Sequence, residues 1–415
     1  MRKLVSTGYQ LFVLNTKGVV RVRATLLERL EALYPEMVRL RRAFHADPEL
    51  SFEEVRTPQA IAAYLEDLGV EVKTKVGGRG VVGYIRGGKP GKTVALRADF
   101  DALPIQEETG LSFTSQHDGK MHACGHDGHT ATLLVLAKAF MQLREDLPGT
   151  IVLIHQFAEE LAPGGAVAMI KDGCLEGVDA IYGTHLWSPF PLGDVCYHPG
   201  AIMAAADRFK IEIQGRGGHG ASPHETVDAV VTGASVVSGL QQIVSRNVDP
   251  QHSAVVTVAS FHAGGAFNVI SDTAVLEGTV RTFDESVQQS VIEKMEQVTK
   301  GVCEASGATY AFSYYKGYPA VLNDRKETER FVRTAGEIHD PSFVKEMVPV
   351  MAGEDFSYYL QQVPGTFFFT GAGNEEKGIV HPHHHPKFDL DERAMVIAAK
   401  QLGSVALAFL EGESN

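Results

Sequence analysis

A dense group of potential metal ligands lies in the stretch MHACGHDGHT, residues 121–130. It brings one thiol, two imidazoles and one carboxylate within six positions, at Cys124, His126, Asp127 and His129. Thiolate and imidazole groups bind divalent ions such as zinc, cobalt, nickel or manganese. A polar loop around a buried free cysteine has the same composition, so this stretch alone does not decide between a metal site and a plain loop.

Further candidate ligands follow other predicted elements. The pair Glu159 and Glu160 follows the apolar run TIVLIHQFA, His185 ends the run DAIYGTHL, and three histidines stand at 383–385. One carboxylate of a neighbouring pair can bind a metal ion while the other takes a proton from water. Each group also has a plain structural alternative: an acidic helix start, a core histidine or a polar loop. Together they offer enough ligands for two adjacent metal ions.

Strands and helices alternate in the segment that holds most of these residues. Apolar residues spaced by three and four predict helical structure from Ala24 onward, and runs such as GVVGYIRG and TVALRAD predict strands. This alternation predicts a mainly parallel sheet covered by helices on both faces. Because binding sites in such sheets gather at the carboxyl ends of strands, we expect Asp99, Glu159 and His185 to meet there.

The middle of the chain has a different order of elements. Between residues 201 and 313 the predicted order is βαββαβ, which is that of a ferredoxin-like split unit. We therefore predict an α/β protein whose catalytic domain spans 24–200 and 314–415, with the βαββαβ domain inserted at 201–313. Residues 1–23, which are mildly basic with broken apolar runs, are expected to form an N-terminal extension.

Length and composition exclude several classes of protein. The 415 residues exceed one ordinary core, so two domains are expected. The net charge of −13 argues against nucleic acid or an anionic membrane as a partner. Four scattered cysteines do not suit a disulfide framework, and neither a signal peptide nor an uncharged bilayer-spanning stretch is found, which favours the cytoplasm. The motifs HExxH and GxSxG are absent, and no stretch has the full phosphate-loop pattern.

A set of longer motifs resembles a known enzyme family. In chain order, across about residues 25–412, they are RRAFHADPELSFEE, LRADFDALPIQEETG, MHACGHDGHT, HQFAEE, GRGGHGASPH, NVISDTAVLEGTVRTF, AGEDFSYY and HHPKFDLDE. They are similar to the aminoacylase and hippurate hydrolase branch of the dimetal aminoacylase–carboxypeptidase family, which also includes plant auxin-conjugate hydrolases. The resemblance implies a metallopeptidase-like catalytic domain and an inserted lid domain that also forms a homodimer or a higher homo-oligomer.

The resemblance also implies a set of metal ligands. They are Cys124, His126, Glu160, His185 and a C-terminal histidine, which the family's H-x-P-x-F pattern places at His384. The neighbouring histidines leave His383 and His385 open as alternatives. Related branches have a His-x-Asp motif where this chain has Asp99-Phe100-Asp101, so the pattern is shifted. We predict that Asp101 is not a ligand but lies behind the ligands and orients His126 or its neighbours.

Catalytic and substrate-binding roles follow from the same resemblance. Glu159 matches the general base, and His219 resembles the histidine that stabilises the oxyanion from the partner subunit's lid domain. Asn268 and Arg281 resemble residues that hold the substrate carboxylate, for which a planar guanidinium is well suited. Gly353 is expected to let backbone approach the substrate.

These residues predict hydrolysis of the amide bond of small N-acyl amino acids, which releases a carboxylic acid and a free amino acid. Two divalent ions per subunit are expected, with manganese, zinc, cobalt and nickel all compatible with the ligands. A dipeptidase or carboxypeptidase that uses the same site is the alternative activity. A metal-binding protein without catalysis is disfavoured, because both Glu159 and His219 are present.

Overall fold

The computed structural model describes residues 21–412 and shows two compact units. Within those residues, the first unit comprises 21–200, Leu322–Val348 and 358–412, and the second comprises Ala201–Val321 and Pro349–Ser357. The predicted extension at 1–23 lies outside the described residues except for 21–23, which are helical. The predicted division into domains at 201 and 313 stays a proposal.

The described residues contain ten α-helical segments. In chain order they are α1 (21–32), α2 (Tyr34–Ala46), α3 (Arg56–Asp67), α4 (His126–Met141), α5 (Ala166–Lys171), α6 (Ala229–Gln242), α7 (Glu285–Ser306), α8 (Arg325–Ile338), α9 (Ser357–Leu360) and α10 (Arg393–Leu410). The continuous helix expected from Ala24 is divided between α1 and α2. The break fits Pro35, which lacks an N–H and is favoured in the first turn of a helix.

The same part of the chain contains sixteen strands. They are β1 (Glu71–Val76), β2 (Gly80–Arg86), β3 (Lys89–Asp99), β4 (Pro148–Gln156), β5 (Ala180–Pro191), β6 (Val195–Tyr197), β7 (Gly200–Met203), β8 (Ala205–Gln214), β9 (Gly218–His219), β10 (Ala254–Ala263), β11 (Val269–Ile270), β12 (Thr273–Thr282), β13 (Thr309–Tyr318), β14 (Val321–Asn323), β15 (Val344–Glu346) and β16 (Gly365–Gly373). The polar strand β1 and the strands of two to four residues were not predicted, because β1 lacks an apolar pattern and the others are too short to show a period.

An eight-stranded sheet in the order β1-β2-β4-β3-β5-β16-β6-β15 forms the centre of the first unit. The four middle strands, β4, β3, β5 and β16, run parallel to one another. The pairs β1–β2, β2–β4 and β16–β6 are antiparallel. This arrangement confirms the predicted α/β class, with antiparallel pairing outside the parallel middle. In the parallel register Asp99 pairs with Gln156, so β3 and β4 end at the same edge of the sheet.

Two apolar helices pack in the core of the first unit. All residues of α4 except Lys138 and Met141 are buried. The helix α10 is long and apolar enough to span a membrane, but 83% of that stretch is buried inside the protein, where it packs on α8, α4 and β3. Its apolar character is therefore explained by burial in the core.

The second unit contains the predicted ferredoxin-like unit. The elements β8, α6, β10, β12, α7 and β13 follow in that order, and the strands form an antiparallel sheet in the order β10-β12-β8-β13. Buried and less buried residues alternate along β8, and Phe209, Ile211 and Ile213 lie in the core that α6 and α7 cover. A separate two-residue pairing joins β9 and β11.

Candidate metal centre and active site

The candidate ligands of the first unit lie in loops, at the start of α4 and within β5. Gly125 has a φ of 91°, which glycine adopts without strain, and it separates Cys124 from His126 at the start of α4. Glu159 and Glu160 follow β4, and His185 lies within β5. The parallel pairing of β3 with β4 and β5 explains why groups from distant segments meet.

The predicted ligands lie close together. Cys124 Sγ is 3.5 Å from His185 Nε2, and His126 Nε2 is 3.8 Å from Glu160 Oε1. His384 Nε2 is 3.2 Å from the other oxygen of Glu160. Two sets of ligand atoms, each within 4.8 Å of one another, share Glu160: one with Cys124 and His384, and one with His126 and Glu159. Glu160 thus lies between two groups that could each hold an ion.

The chemistry of these donors fits a pair of divalent metals. His126 Nε2 and Glu160 Oε1 are both buried without a hydrogen-bond partner, a loss of about 1–3 kcal/mol for each group unless another ligand replaces it. His126 Nδ1 lies 3.0 Å from the Asp101 carbonyl oxygen, and His185 Nδ1 lies 2.9 Å from the Leu186 carbonyl oxygen. Both rings can donate from Nδ1, which leaves Nε2 as the ligand atom.

The electrostatics of the site favour a cation. Burial raises the pKa of the Cys124 thiol, and Glu160 and Glu159 raise it further. Burial opposes the charged form of His126, but Asp99 and Asp101 outweigh it and raise the pKa of the ring to about 10. A bound divalent ion would reverse both effects, since it stabilises the thiolate and the neutral imidazole as ligands.

Asp101 contacts two of the candidate ligands, and its predicted role of orienting His126 or its neighbours stays a prediction. Its Oδ1 is 3.2 Å from His126 Nδ1, and its Oδ2 accepts hydrogen bonds from Glu160 N at 2.9 Å and Ser51 Oγ at 2.7 Å. Burial would raise the pKa of Asp101, but the hydrogen bond with His126 and the charge of that ring lower it. One carboxylate thereby contacts the ring of one candidate ligand and the backbone amide of another.

Two members of the stretch MHACGHDGHT make structural contacts instead. Asp127 accepts hydrogen bonds from Arg41 Nε at 2.9 Å and pairs with His45 Nδ1 at 2.8 Å. His129 Nδ1 lies 2.6 Å from Asp99 Oδ1, and its Nε2 accepts from the backbone N–H of Leu186 at 2.9 Å. Both nitrogens of His129 are therefore engaged within the protein.

Sequence reasoning missed Arg41 and His45, which hold the residue next to His126. Arg41 is 1% exposed although it lies on an amphipathic helix. Its guanidinium also reaches Asp389 at 2.8 Å, and His45 Nε2 lies 3.3 Å from Glu107. The motif RRAFHADPE did contain a signal for them. Arg41 and His45 are four residues apart, so they lie on the same side of the helix, which is the buried side.

The three C-terminal histidines have different surroundings. His384 has a φ of 64° and alone of the three pairs with Glu160. His383 packs on Trp187 with a ring separation of 4.4 Å and accepts from Ser188 N at 3.2 Å, although it also approaches Cys124 and His185. The rings of His385 and His381 stack 4.3 Å apart. The geometry supports His384 as the last ligand.

We expect His384→Ala to lower the metal content of purified protein from two ions to one per subunit, because Glu160 loses its partner ligand. His385→Ala is the matched control and should retain both ions, since its ring faces His381. Elemental analysis after dialysis against metal-free buffer measures this stoichiometry. Loss of an ion from His383→Ala, with full loading of His384→Ala, would assign the ligand to His383 instead.

The remaining candidates lie in the second unit. His219 is exposed on β9, its Nδ1 accepts from Ala221 N at 3.0 Å, and the carbonyl oxygen of Asn268 accepts from Gly220 N at 2.9 Å. His219 and Asn268 therefore belong to the same local structure. Arg281 on β12 is half-buried and donates to Val280 O at 3.2 Å.

Gly353 has a packing explanation within the second unit. A Cβ atom at this position would lie 2.7 Å from the Cβ of Ala206, closer than side chains approach one another. Glycine is therefore required for the approach of two chain segments. Contact of Gly353 with substrate remains a prediction.

A mixed α/β unit that brings a thiol, imidazoles and carboxylates together beside its parallel strands is typical of metal-dependent hydrolases. The profile of peptidase family M20/M25/M40 matches residues 95–408, and the chain belongs to this family. This finding confirms the predicted family resemblance and the assignment as a hydrolytic enzyme.

Individual relatives support the assignment over most of the chain. N-acyl-L-amino acid amidohydrolase of Geobacillus stearothermophilus is 49% identical over 288 residues, which cover 69% of this chain and 78% of the relative. Thermostable carboxypeptidase 1 of Saccharolobus solfataricus is 41% identical over 376 residues, or 90% of this chain and 95% of the relative. The crystal structure of Bacillus subtilis YXEP, described as a dinuclear metal binding peptidase, matches with a TM-score of 0.79 and 36% identity, covering 92% of this chain and 100% of that one.

Proposed function

We propose that this chain hydrolyses the amide bond of N-acyl amino acids and releases a carboxylic acid and a free amino acid. One observation carries the proposal: the adjacent carboxylates Glu159 and Glu160 lie beside Cys124, His126 and His185. The site therefore combines a proton acceptor with a set of proposed metal ligands. Similarity to an enzyme named N-acyl-L-amino acid amidohydrolase supports this substrate class.

The proposed ligand set is Cys124, His126, Glu160, His185 and His384 for two divalent ions, taken from manganese, zinc, cobalt and nickel. A thiolate combined with imidazole and carboxylate ligands tolerates each of these metals. When bound, the ions lower the pKa of a water molecule and polarise the amide carbonyl. Asp101 keeps the His126 ring oriented for this task.

Glu159 is the proposed general base. Its Oε2 lies 4.0 Å from His126 Nε2, next to the proposed ligands. In that position it accepts a proton from the attacking water and delivers it to the nitrogen of the leaving amine. Proton transfer of this kind contributes about 10²–10⁴-fold to the rate. The neutral amine then departs as a free amino acid.

The second unit supplies the proposed groups for the oxyanion and the substrate carboxylate. His219 is exposed in its own unit, so its ring is accessible to donate to a developing oxyanion. Arg281 and Asn268 are proposed to bind the carboxylate of the amino acid portion. Gly353 is proposed to allow close approach of the substrate.

We also propose a homodimer in the cytoplasm, with the lid and dimerisation domain at 201–313. Exposed apolar side chains of the second unit, among them Phe267 and Val269, support a partner surface there. The four cysteines are free and buried, which fits a reducing compartment.

A panel of substrates combined with metal analysis tests the activity. Metal-loaded protein should release free amino acid from N-acetyl and N-benzoyl amino acids with a kcat/KM at least about tenfold above that for dipeptides or peptides with free C-termini. The similarity to a carboxypeptidase makes peptide cleavage the second candidate, and a preference for peptides would establish it. Full metal loading without hydrolysis of any substrate would reject an enzymatic role.

A further inference from the structure

A buried carboxylate that the proposed chemistry does not use lies beside the segment leading to Glu159. Glu54 stands between α2 and α3 and is 1% exposed. Its Oε1 accepts a hydrogen bond from the backbone N–H of Ala158 at 2.9 Å. Its Oε2 is buried without a hydrogen-bond partner and lies 3.8 Å from Arg79 Nε. The Glu54 carboxylate is thus hydrogen-bonded to the residue before Glu159, and the backbone N–H groups of Phe52 and Glu54 itself also lower its pKa.

Ala158 has a backbone conformation that needs support. Its φ is 52°, in the left-handed region that residues other than glycine rarely adopt. Its N–H is held by Glu54, and its carbonyl oxygen accepts from Gly165 N at 3.1 Å. The turn at Ala158 sets the direction in which the chain leaves β4, and therefore where Glu159 and Glu160 begin.

A second carboxylate acts on the other side of Glu159. Asp101 Oδ2 accepts from Glu160 N at 2.9 Å. The backbone amides before and after Glu159 are therefore each held by a buried carboxylate from a different segment of the chain. Hydrogen bonds of this kind, made by residues that do not touch the substrate, keep a reacting group in productive geometry.

We propose that Glu54 is a positioning residue, which holds the backbone at Ala158 and thereby directs Glu159, while Asp101 holds the backbone of Glu160. The inference rests on the proposed function of Glu159 and goes beyond it, because Glu54 itself does not touch the reacting atoms. Burial raises the pKa of Glu54 to about 8, and Asp101 adds to the increase. The neutral acid has nearly the shape of a glutamine side chain, which also offers an oxygen to Ala158 N–H.

The test uses three variants of the full-length, metal-loaded protein. Glu54→Leu removes the acceptor, Glu54→Gln keeps it, and Glu327→Leu is the matched control. Glu327 is also a buried carboxylate, 5% exposed, but it bonds Tyr182 on β5 and Arg330 on α8, and neither is a proposed site residue. If Glu54→Leu fails to fold, Glu54→Asp replaces it, since its carboxylate ends one methylene short of Ala158.

Glu54→Leu should lower kcat about 10- to 30-fold while KM stays within about twofold and two metal ions remain bound. Glu54→Gln should recover kcat to within about threefold of the parent. Glu327→Leu should lower the Tm without this fall in kcat. A parental kcat in Glu54→Leu, or a failure of Glu54→Gln to recover activity, would overturn the positioning role.

Hydrogen exchange gives a readout that does not depend on turnover. The amide of Ala158 should exchange faster in Glu54→Leu than in the parent, and at the parental rate in Glu54→Gln. If the parent hydrolyses none of the test amides, the proposed function fails, while the exchange rates still decide whether Glu54 holds this backbone. Unchanged exchange at Ala158 in Glu54→Leu would refute the inference even in an active enzyme.

Discussion

Glu159→Gln should lower kcat by about 10³-fold while both metal ions remain bound, because an amide has the shape of the carboxylate but cannot accept a proton. The ligand role is proposed for the neighbouring Glu160, whose oxygens face His126 and His384. We therefore expect substitution of Glu159 to affect catalysis alone and substitution of Glu160 to affect metal binding. Single-turnover kinetics on an N-acyl amino acid, together with elemental analysis of the same sample, measures both properties.

Two controls make the result of Glu159→Gln specific. Glu53→Gln removes an exposed carboxylate that pairs with Lys120 on the surface and should leave kcat and metal content unchanged. Glu160→Gln should lose metal together with activity. Turnover at the parental rate in Glu159→Gln would reject it as the base, and loss of an ion from that variant would make it a ligand.

His219→Ala should lower kcat by about 10²–10³-fold, because a donor to the developing oxyanion acts mainly in the transition state. Binding of substrate in the ground state, and hence KM, should change much less. His224→Ala is the matched control, since His224 is also exposed and lies five positions further along the same segment. A kcat that falls equally in both variants would point to a general disturbance of this segment.

Mixing two inactive proteins tests whether His219 acts on the site of a partner subunit. If it does, a heterodimer of His219→Ala and Glu159→Gln subunits contains one complete site. Equal amounts that exchange at random should then recover about a quarter of the parental activity, since half of the dimers are mixed and each has one of two sites intact. Absence of recovery, with subunit exchange demonstrated by labelled chains, would show that His219 does not act in trans.

Local pattern was sufficient for much of the fold. The alternation along β8 and the apolar runs of β3, β4 and β5 follow from periods of two or from complete burial, which a short window of sequence displays. The order βαββαβ of the second unit was readable for the same reason. The polar strand β1 has only one buried residue, Val76, and therefore shows no apolar pattern.

The sequence by itself also determined which chemical groups are available to the site: a thiol, several imidazoles and an adjacent pair of carboxylates. Only the tertiary structure decided which of these groups face the candidate metal site and which make structural contacts. His126 and Glu160 face one another, whereas Asp127 and His129, from the same short stretch as His126, turn to Arg41 and Asp99. Likewise the link from Glu54 to Ala158 joins residues 104 positions apart. Such contacts depend on how strands and helices pack, which the local preference of a residue does not encode.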